Sequence, residues 1–309
     1  MEFDDTVLTN QDIFHFEEHG FVVLKNAVCV DQCERTVREI EKAIGKDSKD
    51  PNSWFSSSTT PIGFAELYHT PCLWENRCNE RIYRAFVQLL CVRELWVSID
   101  RIAFKPPAKM EEGWNHGGFL HWDRDVWCED RPLQLQGVLA LVDTDETMGG
   151  FHCVPGSHKK IDLIRQKMPI PPSAAEKFHA TGIPVPVPAK LGFVERPIPM
   201  KAGDFLIFSS DLAHGNGYNS SERVRIAQYI TFFPNREHGQ VVSRQHCVHL
   251  ANVYDRIESW RSGEKPCHHI NDVRKLQNHR ETAELPGVAE VELNELGQKL
   301  LGIKTWYEQ

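Results

Sequence analysis

The triplet His121-Trp122-Asp123 is where chemistry first becomes visible in this 309-residue chain. On an extended strand, residues two apart point to one face, so an imidazole and a carboxylate would converge on one point, as a metal site needs. The pattern is weak by itself. Fifteen histidines and 43 acidic residues in 309 positions predict about two His-x-acid triplets by chance, and the chain has three. His15-Phe16-Glu17 and His279-Arg280-Glu281 lie in polar, helix-like surroundings, where positions i and i+2 diverge. Only the middle triplet follows an extended segment, Gly117-Gly118-Phe119-Leu120. Asp125 shares the face of 121 and 123 and is a competing acid. Asp123 is preferred because His-x-Asp sets its carboxylate nearest His121.

A second imidazole comes from Asp211-Leu212-Ala213-His214-Gly215-Asn216-Gly217, directly after the apolar run Phe205-Leu206-Ile207-Phe208. His214 therefore sits at a strand end, and Gly215 and Gly217 let backbone pass close to something bulky. Two imidazoles and one carboxylate can fill one face of an octahedron and leave three positions open, the arrangement of non-haem Fe(II) oxygenases. The same set also suits zinc. Arg225 follows His214 by eleven residues, across a turn at Asn219-Ser220-Ser221. It opens a strand in which Ile226, Gln228 and Ile230 alternate with Ala227, Tyr229 and Thr231. An arginine beside a metal histidine can grip a carboxylate through two parallel hydrogen bonds. Arg223 shares that alternation, so the spacing alone leaves both open. Glu111, Trp114 and His116, in the Gly-rich approach to the metal strand, are candidates for substrate contact. His152, His158, His246, His249, His268 and His269 read as structural; His246 and His249 have helical ligand spacing but no acid at the right interval.

These side chains need elements to carry them. Thr9, Asn10 and Asp12 are candidate caps for a helix over 13–19, which Gly20 ends before a buried strand over 21–24. Helical spacing recurs over 30–44, up to Gly45, and over 81–90, with a loop-like stretch at 50–60. From about residue 92 the texture becomes strand-like: 95–104 stopped by Pro106-Pro107, then 134–142, 151–154, 205–208 and 226–233, the last ended by Pro234. Short strands between Gly, Pro, Asn and Asp turns predict an antiparallel sandwich or barrel. A Pro-rich stretch at about 165–200 reads as a long connection that could serve as a lid. The chain turns helical again after 250, with Leu293 to Leu301 periodic.

Composition narrows the classes. With 41% hydrophobic residues, 25% charged residues and a formal charge of −8, the chain is globular, and its acidic balance argues against nucleic acid as a partner. No apolar run approaches the roughly 20 residues of a membrane helix. The first ten residues, acidic and without an apolar core, do not read as a secretory signal. Nine cysteines, none in a CxxC pair, read as buried, unpaired thiols in a reducing, cytoplasmic setting.

In this order, the residues resemble the phytanoyl-CoA dioxygenase family. The resemblance runs from Phe16-Glu17-Glu18-His19-Gly20-Phe21-Val22-Val23-Leu24 through Lys105-Pro106-Pro107, His121-Trp122-Asp123, Pro155-Gly156-Ser157-His158 and Gly203-Asp204 to His214-Gly215-Asn216-Gly217-Tyr218-Asn219 and Arg225. It implies a mainly β fold with flanking helices around a double-stranded β-helix, the jelly-roll or cupin-like core. The chain would then be one domain over 1–309: a mixed N-terminal part (1–91), the core (about 92–235, with the Pro-rich insert) and a helical C-terminal part (250–309). The resemblance implies Fe(II), 2-oxoglutarate and O2, with metal ligands His121, Asp123 and His214. It gives the distal carboxylate of 2-oxoglutarate to Arg225 rather than Arg223, because the eleven-residue interval is the family's own. Gln136, Asn216 and Arg101 match positions that approach the cosubstrate.

The family often has glutamine where this chain has Trp122, a residue that a strand would aim away from the metal, into core or pocket wall. Related halogenases carry a small residue where Asp123 stands, so the carboxylate predicts hydroxylation or a related oxidation. No basic cluster suits a coenzyme A tail. The expected enzyme oxidises a small molecule to give succinate and CO2, works as monomer or homodimer, and needs neither membrane nor nucleic acid. A zinc hydrolase or isomerase on the same barrel, and a non-enzymatic jelly-roll binding protein, are the competing expectations.

Overall fold

The computed structural model describes residues 6–108, 120–123, 126, 133–167, 183–184, 192, 194–235, 253–264 and 291–306. Of the sequence expectations, Glu111, Trp114, His116, Asp125, His246, His249, His268, His269 and most of the Pro-rich stretch fall outside these residues.

The N-terminal elements form where their caps dictate. Helix α1 (Asn10–His19) begins at Thr9, whose hydroxyl accepts from the Asp12 N–H while the Asp12 carboxylate accepts from the Thr9 N–H. Gly20, at φ 82°, ends α1 and turns the chain into β1 (Phe21–Leu24). Helix α2 (Val30–Ile44) stops at Gly45 as expected. Strand β2 (Phe64–Ala65) and helix α3 (Pro71–Arg77) were not foreseen, although Thr70 followed by Pro71 is a start signal for α3. Asn79 caps α4 (Glu80–Leu90) through the Ile82 N–H.

The strand-rich part corrects two boundaries. The expected strand over 95–104 is two strands, β3 (Leu95–Val97) and β4 (Ile102–Lys105). The expected strand over 226–233 likewise divides into β12 (Arg225–Tyr229) and β13 (Phe232–Pro234), completing a series of β5 (His121–Trp122), β6 (Leu135–Ala140), β7 (Phe151–Cys153), β8 (Ile183–Pro184), β9 (Arg196–Pro197), β10 (Phe205–Ser209) and β11 (His214–Asn216). Both breaks fall at one place. Ser98 donates its N–H to the Thr231 carbonyl and its hydroxyl accepts from the Thr231 N–H, so the two chains bend together out of the main sheet. Three helices close the list: α5 (Ile161–Lys167), α6 (Val253–Ser262) and α7 (Glu295–Leu301), the last capped by Asn294.

A six-stranded sheet runs β1-β10-β6-β12-β4-β2, a five-stranded sheet runs β8-β5-β11-β7-β9, and β13 pairs with β3. All these pairings are antiparallel. Two described pieces of the Pro-rich stretch, β8 and β9, thus supply two strands of the smaller sheet.

The six-stranded sheet is buried on both faces, which explains why β10 reads as an unbroken apolar run. Phe205 and Ile207 join Ile40, Ile44, Ile82, Phe86 and Leu300 in a core under the helices. Leu206 and Phe208 point the other way and pack with Phe21, Val138, Phe151 and Cys153 toward the smaller sheet. Each fully buried side chain of this size contributes about 1.5–3 kcal/mol. A third cluster, with Trp122, Val154, Ile161 and Ile164, covers the outer side of the smaller sheet. Trp122 is core there, on the face of β5 opposite His121. Asp204, buried at the head of β10, accepts from the Asn26 and Lys201 N–H groups and from Lys25 Nζ, tying β10 to the end of β1.

The cysteine expectation holds in part. Cys33 and Cys153 are buried, but Cys29 and Cys91 are exposed; all six described cysteines are free thiols.

Candidate metal centre

Antiparallel pairing of β11 with β5 sets His214 directly across from His121, with ring centroids 4.7 Å apart. Asp123, just past the end of β5, returns to the same face. Its Oδ1 lies 3.4 Å from His121 Nε2 and its Oδ2 lies 3.2 Å from His214 Nε2. One ligand atom from each residue falls within 4.8 Å of the others, and this is the one such cluster of three among the described residues. Burial works to raise the pKa of Asp123, but the adjacent imidazoles outweigh it and hold the carboxyl well below its usual range.

The surroundings fix these ligands in place. His214 Nδ1 lies 2.9 Å from the Leu212 carbonyl, so it carries the proton and donates, leaving the Nε2 lone pair for a metal. The ring is held between Phe151, nearly parallel with centroids 5.7 Å apart, and Phe208 at 4.6 Å. Gln136 Nε2 donates to Asp123 Oδ2 at 2.9 Å and to Ser210 Oγ at 3.3 Å. The matched cosubstrate position thus touches the metal carboxylate itself. Asn216 is two residues beyond His214 on the same strand. The close backbone approach expected of Gly217 is real, but the tight partner is Gly149. At φ +67°, any Cβ there would meet the Gly217 carbonyl oxygen at 2.7 Å.

Arg223 and Arg225, equivalent by alternation, end in opposite environments. Arg223 is on the surface, paired with Asp145. Arg225 is 1% exposed, and its Nε and Nη2 have no hydrogen-bond partner. Lys105, 5% exposed, stands opposite Arg225 in the β4–β12 ladder. Its Nζ donates to the Gly217 carbonyl. Burial first, and Arg225 second, push the Lys105 pKa down to about 7. Neither cation meets a carboxylate among the described residues. Sequence reasoning passed over Lys105 as a functional group, although it is the polar member of an otherwise apolar strand, Ile102-Ala103-Phe104-Lys105.

Arg101 lies two residues before Ala103 on the same face. Its guanidinium sits 4.2 Å from the Phe64 ring centroid and 3.5 Å from Glu66. His152 pairs with Glu195, and His158 Nε2 donates to the Glu17 carbonyl, so both keep structural roles.

These residues fit a ferrous centre with a dicarboxylate cosubstrate. Two nitrogens and one carboxylate oxygen suit the metal, and the unmatched atoms of Arg225 suit an anion.

A family model described as "Phytanoyl-CoA dioxygenase (PhyH)" matches residues 16–227. A Dictyostelium discoideum protein named for phytanoyl-CoA dioxygenase is 26% identical over 264 residues, covering 71% of this chain and 74% of its own. The ectoine dioxygenase of Bordetella bronchiseptica is 25% identical over 240 residues, covering 75% and 77%. Among solved structures, the epimerase SnoN in complex with Fe3+, alpha ketoglutarate and nogalamycin RO superimposes with a TM-score of 0.55. Its identity is 15%, over 76% of this chain and 93% of that one, so the likeness is one of fold. No helix among the described residues is long and apolar enough to cross a membrane.

Proposed function

This chain belongs to the phytanoyl-CoA dioxygenase family, and we propose that it is a non-haem Fe(II)- and 2-oxoglutarate-dependent dioxygenase oxidising a C–H bond of a small-molecule metabolite. The carrying observation is one juxtaposition. A cluster of two histidines and an aspartate stands beside the strand end at Gly217, which Lys105 reaches, and Lys105 faces a buried Arg225 whose Nε and Nη2 lack a partner. The zinc hydrolase reading has no use for Arg225.

In this reading His121, Asp123 and His214 hold Fe(II), and Arg225 and Lys105 hold the distal carboxylate of 2-oxoglutarate. When bound, iron and keto acid supply the oxidising chemistry: O2 is consumed, succinate and CO2 leave, and an oxygen atom passes to the substrate. The protein's part is orientation. Leu212 fixes the His214 tautomer, Gln136 aims the Asp123 carboxylate, and Phe151 and Phe208 keep water from the His214 side. Asp123 occupies the position that would have to be small to admit a halide, which favours hydroxylation. The two antiparallel sheets form the double-stranded β-helix core of one oxygenase domain. The free thiols favour a cytoplasmic setting.

The test is anaerobic titration of the protein with Fe(II) and then 2-oxoglutarate. A charge-transfer absorption that needs both, disappears in His121→Ala, and requires far more 2-oxoglutarate in Arg225→Gln is the expected result. Absence of the band in the wild type would refute the reading.

A further inference from the structure

We propose that Arg101, Tyr229 and Phe64 form the pole that recognises the organic substrate, and that this substrate is a small monocarboxylate with an apolar body. The inference rests on the oxygenase reading and names what that site takes besides its cosubstrate.

The β4–β12 register supplies the layout. Arg225 faces Lys105 and Ala227 faces Ala103, while Arg101 and Tyr229, at the far end of the two strands, both pack against the Phe64 ring. Phe64 extends the middle rung across β2, and Ala140 extends it across β6. Three alanines, the smallest side chains of the face, therefore lie between two polar ends. One end is the Arg225–Lys105 pair. At the other, Tyr229 pairs with Val138 on β6, and the next same-face residue of β6 is Gln136, which holds Asp123. The Arg101–Tyr229 pole is thus the one nearer the metal ligands along the sheet. A cosubstrate running from metal to Arg225 would lie along the alanines and leave this pole free for a second molecule.

The chemistry of the pole selects that molecule. The Tyr229 hydroxyl is buried with no hydrogen-bond partner, a cost that a bound acceptor would remove. Arg101 is held over the Phe64 ring at 4.2 Å, which orients its planar fork in advance. Its acidic neighbour, Glu66, is at 3.5 Å, and the other Glu66 oxygen is taken by the Tyr68 hydroxyl at 2.5 Å. The fork therefore keeps capacity for a two-point grip on a carboxylate, with the tyrosine hydroxyl as a third contact. Glu66 leaves the pole close to neutral, which suits one carboxylate and disfavours a polyanion. Val138, Leu206, Phe208 and the rings of Phe64 and Tyr229 give the rest of the molecule apolar walls.

The experiment uses the full chain loaded with zinc and 2-oxoglutarate, where no turnover occurs. It is titrated calorimetrically with phenylacetate and octanoate, and with phenylacetamide and octanamide as neutral counterparts. Acids are expected to bind about tenfold or more tighter than amides. Arg101→Gln should weaken the acids about 10- to 100-fold and Tyr229→Phe about 3- to 10-fold, with Arg101→Lys between wild type and Arg101→Gln. Melting temperatures and 2-oxoglutarate affinities of the variants report their folding; should Arg101→Gln fail to fold, Arg101→Lys and Tyr229→Phe carry the test. The proposal is overturned if amides bind as well as acids, if acid binding depends on Arg225 and not on Arg101, or if 2-oxoglutarate binds and neither acid does. If 2-oxoglutarate fails to bind while the acids bind through Arg101, the cosubstrate reading falls and this one stands.

Discussion

Arg225 and Lys105 face each other on neighbouring strands, both buried, and neither meets a carboxylate among the described residues. Two like charges in that position destabilise the protein unless a ligand neutralises them. Lys105→Met and Arg225→Met should therefore raise the melting temperature of the ligand-free protein, or leave it unchanged. The same changes should weaken 2-oxoglutarate binding by about 10-fold or more, the weight of a charge-assisted hydrogen bond. Thermal melts with and without 2-oxoglutarate would check both signs. A variant that is less stable yet still protected by ligand would contradict the assignment.

The lowered Lys105 pKa gives that pair a pH signature. Burial and Arg225 bring it to about 7 in the folded protein, against the ordinary lysine value of 10.5. Between those values the unfolded chain binds the proton that the folded chain has released, so stability rises with pH across the window. The penalty for the charged lysine is complete below about 7 and gone above about 10.5. Ligand binding runs the other way. A carboxylate beside Lys105 favours its charged form, so 2-oxoglutarate affinity should fall as pH climbs from about 6 to 9, by about tenfold. Calorimetry at both pH values measures this, with Lys105→Met as the pH-insensitive control.

Gln136 touches the Asp123 oxygen that also faces His214. Truncating it to Leu keeps an apolar-compatible volume on β6 but frees the carboxylate to rotate. Metal affinity should drop about 10- to 100-fold, the usual cost of losing a group that orients a ligand, with little change in thermal stability. Metal titration of Gln136→Leu, set beside Ser210→Ala with its smaller expected effect, provides the measurement.

What could be read beforehand follows from how local each signal is. His121 and Asp123 are two apart in one extended stretch, so their convergence was local and legible; spacing left Arg225 level with Arg223, and only the resemblance to the family separated them. Lys105 escaped because a lysine ending a strand normally faces water, and only the pairing with Arg225 buries it. Tyr229 was visible as part of an alternating strand, but its orphaned hydroxyl depends on Phe64, Arg101 and β6, which come from distant segments. The breaks at 98 and 231 were hidden for the same reason. Neither stretch contains a breaker, and each bend is held by hydrogen bonds to the other. Helix α3, by contrast, carried its own start signal in Thr70-Pro71 and could have been found.

Gly137 is a packing constraint of a kind spacing does not reveal. A Cβ there would lie 2.4 Å from Phe205 Cζ and 2.5 Å from the Ile230 carbonyl oxygen. The aromatic ring and a backbone atom press on it from β10 and from the bend after β12, and the backbone atom has no rotamer through which to retreat. Gly137→Ala should cost about 1–3 kcal/mol in chemical denaturation. Because Gly137 lies beside Gln136, metal affinity should fall as well. Wild-type stability in this variant would mean that the sheet is looser here than the packing indicates.

The choice between Asp123 and Asp125 is the sharpest test of the metal centre. Asp123 is placed with one carboxylate oxygen 3.4 Å from one imidazole and the other 3.2 Å from the second, while Asp125 lies outside the described residues. Removing the carboxylate from a three-ligand centre leaves two neutral imidazoles, which hold a hard divalent ion poorly. Asp123→Ala should therefore abolish tight Fe(II) binding and O2-dependent succinate formation together. Asp125→Ala should keep much of both metal binding and turnover. If the second variant loses iron and the first retains it, the ligand is Asp125, two residues further along the same alternation.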